Sequence, residues 1–229
     1  MTPLVLIQGF MCDARLFAPQ IAELGKDREV LPIISTQQSL EDMAAAILGS
    51  VGGPICLGGL SMGGIVAMET LRIASDRIER LALMDTTPLA DARENHEIRN
   101  RQIKDVWNGK LAEVMRDELK PAYLVESENK NRILELCTDM AECLGPEVFE
   151  AQSLALRDRK DLQKSLALAP VQTLILHGAE DRLCPPQRHH LMHRLAPRAT
   201  LVSIPDSGHL PTLEQPAATT AALAAWLAD

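Results

Sequence analysis

Gly59-Leu60-Ser61-Met62-Gly63-Gly64 follows the apolar run Ile55-Cys56-Leu57 and opens residues 62–73, where apolar positions recur at helical spacing. A strand that runs into a helix through Gly-x-Ser-x-Gly makes a very tight turn, and the serine at its apex must adopt a strained backbone conformation. The positions two residues to either side need glycine, because side chains there would collide. The strain pushes the hydroxyl out above the sheet. The helix N-terminus behind it favours developing negative charge. The hexapeptide alone would also suit a phosphate-binding turn or a plain loop. A strand before it and a helix after it are the context a nucleophilic serine requires.

Working outward, short apolar runs alternate with helical patterns. The runs are residues 4–7, 30–34, 54–57, 81–84, 171–176 and 200–204. Helical spacing marks residues 14–24, the stretch around 44–48 with Ser39 as its cap, residues 62–73, and a last helix opened by Pro216. The runs are mostly continuous rather than alternating, as in strands covered on both faces. Strand and helix in turn imply an α/β fold with a mostly parallel sheet of about six strands. Residues 88–169 break the rhythm, with much charge, many helix formers and no convincing strand. Gly109, Pro121 and Gly145-Pro146 punctuate them into short helices. The chain therefore divides into a first core part, 1–87, a helical insertion, 88–169, between the fourth and fifth strands, and a second core part, 170–229. The insertion reads as a lid over a pocket; a plain helical layer covering the sheet is the other reading.

A serine hydroxyl needs a base. His209, in Asp206-Ser207-Gly208-His209-Leu210-Pro211, stands just past the last run, where a loop beyond the strand's carboxyl end can reach Ser61. The imidazole in turn needs an orienting carboxylate. Asp181, in His177-Gly178-Ala179-Glu180-Asp181 after the fifth run, is preferred for its Gly-x-x-Asp turn; Glu180 should face solvent. The rival is Asp85, after the fourth run, read otherwise as a turn residue at the entrance to the lid. The chain order is Ser, Asp, His.

With that order the sequence resembles the small, carboxylesterase-like α/β-hydrolase family at Gln8-Gly9-Phe10, Gly59 to Gly64, His177 to Asp181 and Ser207 to Pro211. The likeness spans nearly all of the chain except the insertion. It departs where many members carry His-Gly and this chain has Gln8-Gly9, and where members often begin with two further strands. The resemblance implies an α/β-hydrolase fold, with an oxyanion hole formed by the backbone N–H groups of Met62 and Phe10. Met11, Gln8 and Phe10 become candidates for the substrate pocket, with ordinary core packing as the alternative for Phe10 and Met11. It also implies a serine hydrolase that cleaves a small carboxylic ester through an acyl-enzyme. A thioesterase, a lactonase, a C–C bond hydrolase or a non-catalytic receptor on the same fold are the alternatives.

Composition narrows the rest. A net charge of -8 and 3% aromatics argue against a nucleic-acid surface, so the expected partner is a small-molecule acyl substrate. No cofactor fingerprint is present, and no metal site is expected. His189, His190 and His193 have helical spacing but lack a third ligand, and read as a solvated helix face. The 5 cysteines are scattered without a CxxC pair, which suits a reducing, cytoplasmic setting. Cys56 reads as inert core, while Cys12 and Cys184 flank the site loops and are expected to be accessible. The opening MTPLVLIQGF lacks a basic region and reads as a buried strand rather than a leader, and no run is long enough to span a bilayer.

Overall fold

Six strands form a single parallel sheet: β1 (Leu4–Ile7), β2 (Val30–Ile33), β3 (Ile55–Leu60), β4 (Ile78–Met84), β5 (Gln172–Gly178) and β6 (Ala199–Ile204). The structure is a computed structural model that describes residues 1–119 and 123–228. The strand order is β2-β1-β3-β4-β5-β6. Chain direction across the sheet therefore reverses between β1 and β3, which opens a crevice at their carboxyl ends.

The continuous apolar runs are explained by two cores, one on each face of the sheet. Val5, Ile7, Leu57, Leu83 and Ile175 pack with helices α2 (Leu40–Ser50) and α3 (Met62–Ile73) on one side. Leu4, Leu6, Cys56, Ala82, Leu174 and Leu176 point the other way. They pack against helix α1 (Ala18–Leu24), the short helical turn before it, and the C-terminal helix Pro216–Ala228. With both faces covered, alternation in hydropathy has no physical basis in the central strands. The edge strands β2 and β6 are only half-buried. β4 begins earlier than its apolar run, because exposed Glu79 and half-buried Arg80 lie at the sheet rim. β3 runs on through Gly58 and Gly59, which carry no apolar signal. Ser39 caps α2 by accepting the N–H of Asp42 at 3.1 Å.

Between β4 and β5 the chain is helical: α4 (Arg93–Asp105), a wide π-type turn over Val106–Lys110, α5 (Leu111–Glu113), a second such turn over Val114–Leu119, α6 (Lys130–Arg157) and α7 (Gln163–Ala167). Gly109 and Gly145 take φ of 86° and 82°, and each interrupts the helix where it stands. Pro121 lies outside the described residues. After β5 come α8 (Pro186–Leu195), β6, α9 (Pro211–Glu214) and the C-terminal helix, α10. Among the described residues no helix is long and apolar enough to cross a membrane.

Candidate active site

Ser61 sits between β3 and α3 with φ 54° and ψ −115°, a left-handed conformation that costs a non-glycine residue about 1–3 kcal/mol. The surrounding packing imposes it. A Cβ on Gly59 would lie 2.2 Å from the carbonyl oxygen of Gly63, and a Cβ on Gly63 would lie 2.1 Å from that of Ile7. Both positions are therefore closed to any other residue. The Ser61 N–H donates to Met84 O at 2.8 Å, and Thr86 Oγ1 donates to Ser61 O at 2.7 Å, so the turn is anchored on β4 and the loop after it.

Ser61 Oγ lies 2.8 Å from His209 Nε2, and His209 Nδ1 lies 2.8 Å from Asp181 Oδ2. Asp181 and His209 are buried. Asp181 Oδ1 accepts the N–H groups of Leu183 and Cys184 at 2.8 and 3.0 Å. Burial pushes the Asp181 carboxyl up, but His209 and these two N–H groups outweigh it and hold the group below the usual carboxylate range. The His209 loop is fixed by groups that no sequence motif announced. Its own N–H donates to Tyr123 O at 2.6 Å, and the Tyr123 ring meets the imidazole edge-on at 4.9 Å. Glu214, the last residue of α9, accepts the N–H groups of Gly208 and Leu210 at 3.0 and 3.1 Å, and that of Val125 at 2.9 Å.

Asp85 is not hydrogen-bonded to His209. It is a turn residue, with φ 45°, directly after β4. Its fully buried side chain accepts the N–H of Gly178 at 2.9 Å and so ties the end of β4 to that of β5. Its second oxygen has no hydrogen-bond partner among the described residues. Burial, and then the neighbouring charge of Asp181, push the Asp85 carboxyl well above its ordinary value. Glu180 is exposed.

The histidines of α8 divide. His190 and His193 are exposed as expected, but His189 is buried and stacks on His177 at 4.5 Å. Burial pulls the His189 imidazole down to about 3, so it is neutral. Its shared face with Met192 and Ala196 was the readable signal, since these positions repeat at helical spacing. Two sets of possible metal ligands come within 4.8 Å of one another, Asp181 with Cys184 and His209, and Asp181 with Asp85 and His189. Both need Asp181, whose oxygens already serve His209, Leu183 and Cys184. Cys56 is buried as expected, and Cys12 and Cys184 are buried rather than accessible, although Cys184 borders the cavity.

A cavity of about 310 Å³ opens above Ser61. Its lining comes from Phe10, Met62 and Ile65, from residues of the helical segment between β4 and β5, and from Leu183, Cys184 and Arg188 after β5. Gln8 and Met11 are not part of these walls. Both are buried in the interior, where Met11, at φ 52°, donates its N–H to Gln152 Oε1 at 2.8 Å. Gln152 Nε2 continues to Ser35 O at 2.7 Å, so a residue of α6 straps the loops after β1 and β2. Gly9 lies beside Ser61: its Cβ would stand 3.7 Å from that of Ser61. Phe10 is the next residue, and Met62 is the first of α3.

The model of the alpha/beta hydrolase family matches residues 8–223. A pimeloyl-[acyl-carrier protein] methyl ester esterase of Pectobacterium carotovorum is 25% identical over 96% of this chain and 91% of its own length. The solved structure of a thermophilic esterase from Thermogutta terrifontis, with malate bound, superposes with a TM-score of 0.90 and 32% identity, covering 99% of this chain and 89% of that one. The enol-lactonase of Burkholderia xenovorans shares the fold, with a TM-score of 0.89 at 22% identity over 100% of this chain and 92% of that one.

Proposed function

The chain belongs to the alpha/beta hydrolase family, and on that premise we propose that it is a serine hydrolase cleaving a small carboxylic ester through an acyl-enzyme, with Ser61 as nucleophile, His209 as base and Asp181 as orienting acid. The observation that carries this reading is the unbroken pair of 2.8 Å contacts from Asp181 through His209 to Ser61. Ser61 Oγ attacks the acyl carbonyl while His209 Nε2 takes its proton. Asp181 keeps Nδ1 protonated and stabilises the imidazolium. The oxyanion is assigned to the N–H groups of Met62 and Phe10, which stand on the two backbone segments that meet at the elbow. His209 then protonates the departing alcohol, activates water against the acyl-enzyme and returns the enzyme to its starting state.

The insertion, 88–169, acts as the lid in this reading. Its residues Asp91, Arg99, Tyr123, Leu156 and Arg159 roof the cavity, which supports that role. The relatives named as esterases on nearly full-length matches support ester cleavage over other bonds. The scattered free thiols are in keeping with a cytoplasmic setting.

Turnover of p-nitrophenyl esters of graded acyl length tests the proposal. Wild type should hydrolyse the short members, and Ser61→Ala should lose about 10³-fold or more of kcat with an unchanged circular dichroism spectrum. A folded Ser61→Ala protein with near wild-type turnover would remove Ser61 from the mechanism. Lactone and thioester substrates run alongside would expose a preference for another acyl bond. An intact protein that binds acyl ligands without turning over any of them would be a receptor.

A further inference from the structure

The walls of the cavity over Ser61 carry three guanidinium groups, Arg99, Arg159 and Arg188, and one carboxylate, Asp91. Among the residues lining the cavity, cations therefore outnumber anions by two, in a chain whose net charge is -8. The three arginines are differently employed. Arg159 is engaged through all three nitrogens: Nε donates to Leu89 O at 3.0 Å, Nη1 to Leu156 O at 3.1 Å, and Nη2 pairs with Asp91 Oδ1 at 3.1 Å. Arg99 spends its Nε on Asp91 Oδ2 at 2.7 Å. Asp91, also held by Asn95 at 3.0 Å, is thereby consumed in fixing the roof. Arg188 is half-buried in the first turn of α8, and its guanidinium has no hydrogen-bond or ion-pair partner among the described residues, though it lines the cavity. Burial and the like charges of Arg99 and Arg188 lower the Arg159 guanidinium against the pull of Asp91. Crowding like charges beside a half-enclosed cavity is unfavourable unless an anion enters it.

We propose, on the footing of the ester-hydrolase reading, that the cavity takes esters bearing a carboxylate in addition to the scissile bond, and that Arg188 is the residue that recognises that carboxylate. The two guanidinium N–H edges of an arginine match a carboxylate in a bidentate pair, which fixes direction as well as charge. Held this way, the second charged group aligns the scissile carbonyl on Ser61. Asp91 supplies the counter-charge that keeps Arg99 and Arg159 in place, so Arg188 is left for the substrate.

The test compares kcat/KM by proton release for three ester sets matched in chain length. They are the monomethyl esters of glutaric and adipic acid, with the charge on the acyl side; the acetyl esters of 4-hydroxybutyrate and 5-hydroxypentanoate, with the charge on the alcohol side; and the methyl esters of the corresponding uncharged alkanoic acids. One anionic set should exceed the neutral set by about tenfold or more, and which set wins assigns the carboxylate to the acyl or the alcohol moiety. Adding 0.5 M NaCl should compress the ratio, because screening weakens a partly exposed pair. Arg188→Gln should cut the anionic-to-neutral ratio about tenfold, Arg188→Lys should recover part of it, and Arg188→Glu should invert it. Calorimetric titration of glutarate into the Ser61→Ala protein, with and without Arg188→Gln, gives a readout independent of turnover. Esters hydrolysed with no anionic preference, together with no glutarate binding, would overturn this inference and leave the ester-hydrolase reading standing. Glutarate binding that depends on Arg188 in a protein that turns over no ester would uphold the anion site and defeat that reading instead.

Discussion

Asp85 and Asp181 are buried neighbours whose carboxyl groups are pushed in opposite directions. Asp181 has His209 and two N–H groups to hold its charge; Asp85 has one N–H, an unpartnered oxygen and a negative neighbour. Like charges side by side in a low-dielectric interior repel, so burial and the charge of Asp181 push the Asp85 carboxyl up while the contacts of Asp181 hold that group down. Two outcomes follow at this scale. Asp181→Asn should lower kcat by about 10⁴-fold, because an amide favours the wrong imidazole tautomer. Asp85→Asn, which keeps an acceptor for the Gly178 N–H, should cost about tenfold or less on the same activated ester. The reverse ranking would transfer the acid role to Asp85. The second outcome concerns stability. Because the folded-state value of Asp85 is raised, its contribution is fully present below the unfolded carboxyl value and is lost as pH rises through the folded one. Asn cannot ionise, so the melting temperature of Asp85→Asn should gain on wild type as pH rises from acid towards alkaline. A melting-temperature difference, variant minus wild type, that falls with rising pH would contradict the assignment. Ser61, His209 and Asp181 were legible because each is tied to a local pattern, a glycine turn or a strand end. The environment of Asp85 was not, because burial on every side is a property of the fold rather than of residues 81–87.

The strands were legible wherever both faces are covered, since the continuous runs of β1, β4 and β5 are what double burial requires. Their ends were less so, as at β3, where Gly58 and Gly59 continue the ladder without an apolar side chain. In the helical insertion, Gly145-Pro146 announced its break, but the wide turns at Val106–Lys110 and Val114–Leu119 have no local signature. Nor did the charges there reveal that Asp91, Arg99 and Arg159 face inward. In sequence they look like the solvated side of a helix, and only the packing of α4, the loop before it and the loop after α6 brings them to the cavity wall. The side chains of Asp91 and Arg159 are 1% and 9% exposed, so removing the carboxylate strands a nearly buried cation. Asp91→Asn should therefore destabilise the protein on the order of 3 kcal/mol in urea titration near neutral pH. Burial pushes the Asp91 carboxyl up, but Arg99, Asn95 and Arg159 outweigh it and lower it. Its contribution is thus present above the unfolded carboxyl value and lost as pH falls through the folded one. The difference from wild type should shrink in acid. A variant as stable as wild type at pH 7 would mean that the Asp91 network does not hold the roof.

Across the whole molecule, the parallel sheet, its reversal between β1 and β3 and the two cores bring residues 61, 181 and 209 to one crevice from three separate strand ends. The fold's contribution is placement. The serine is strained into reach, the imidazole is held by Tyr123 and Glu214 through its loop, and Arg99, Arg159 and Arg188 line the cavity that includes Ser61. The central claim, that Ser61 is a nucleophile activated by His209, is tested most directly by covalent capture. The purified protein is treated with a fluorophosphonate and its peptides are mapped by mass spectrometry. The account predicts one adduct, on Ser61, with labelling lost in Ser61→Ala and slowed by about 10³-fold or more in a folded His209→Ala protein. An adduct on another residue, or His209→Ala labelling at the wild-type rate, would contradict it.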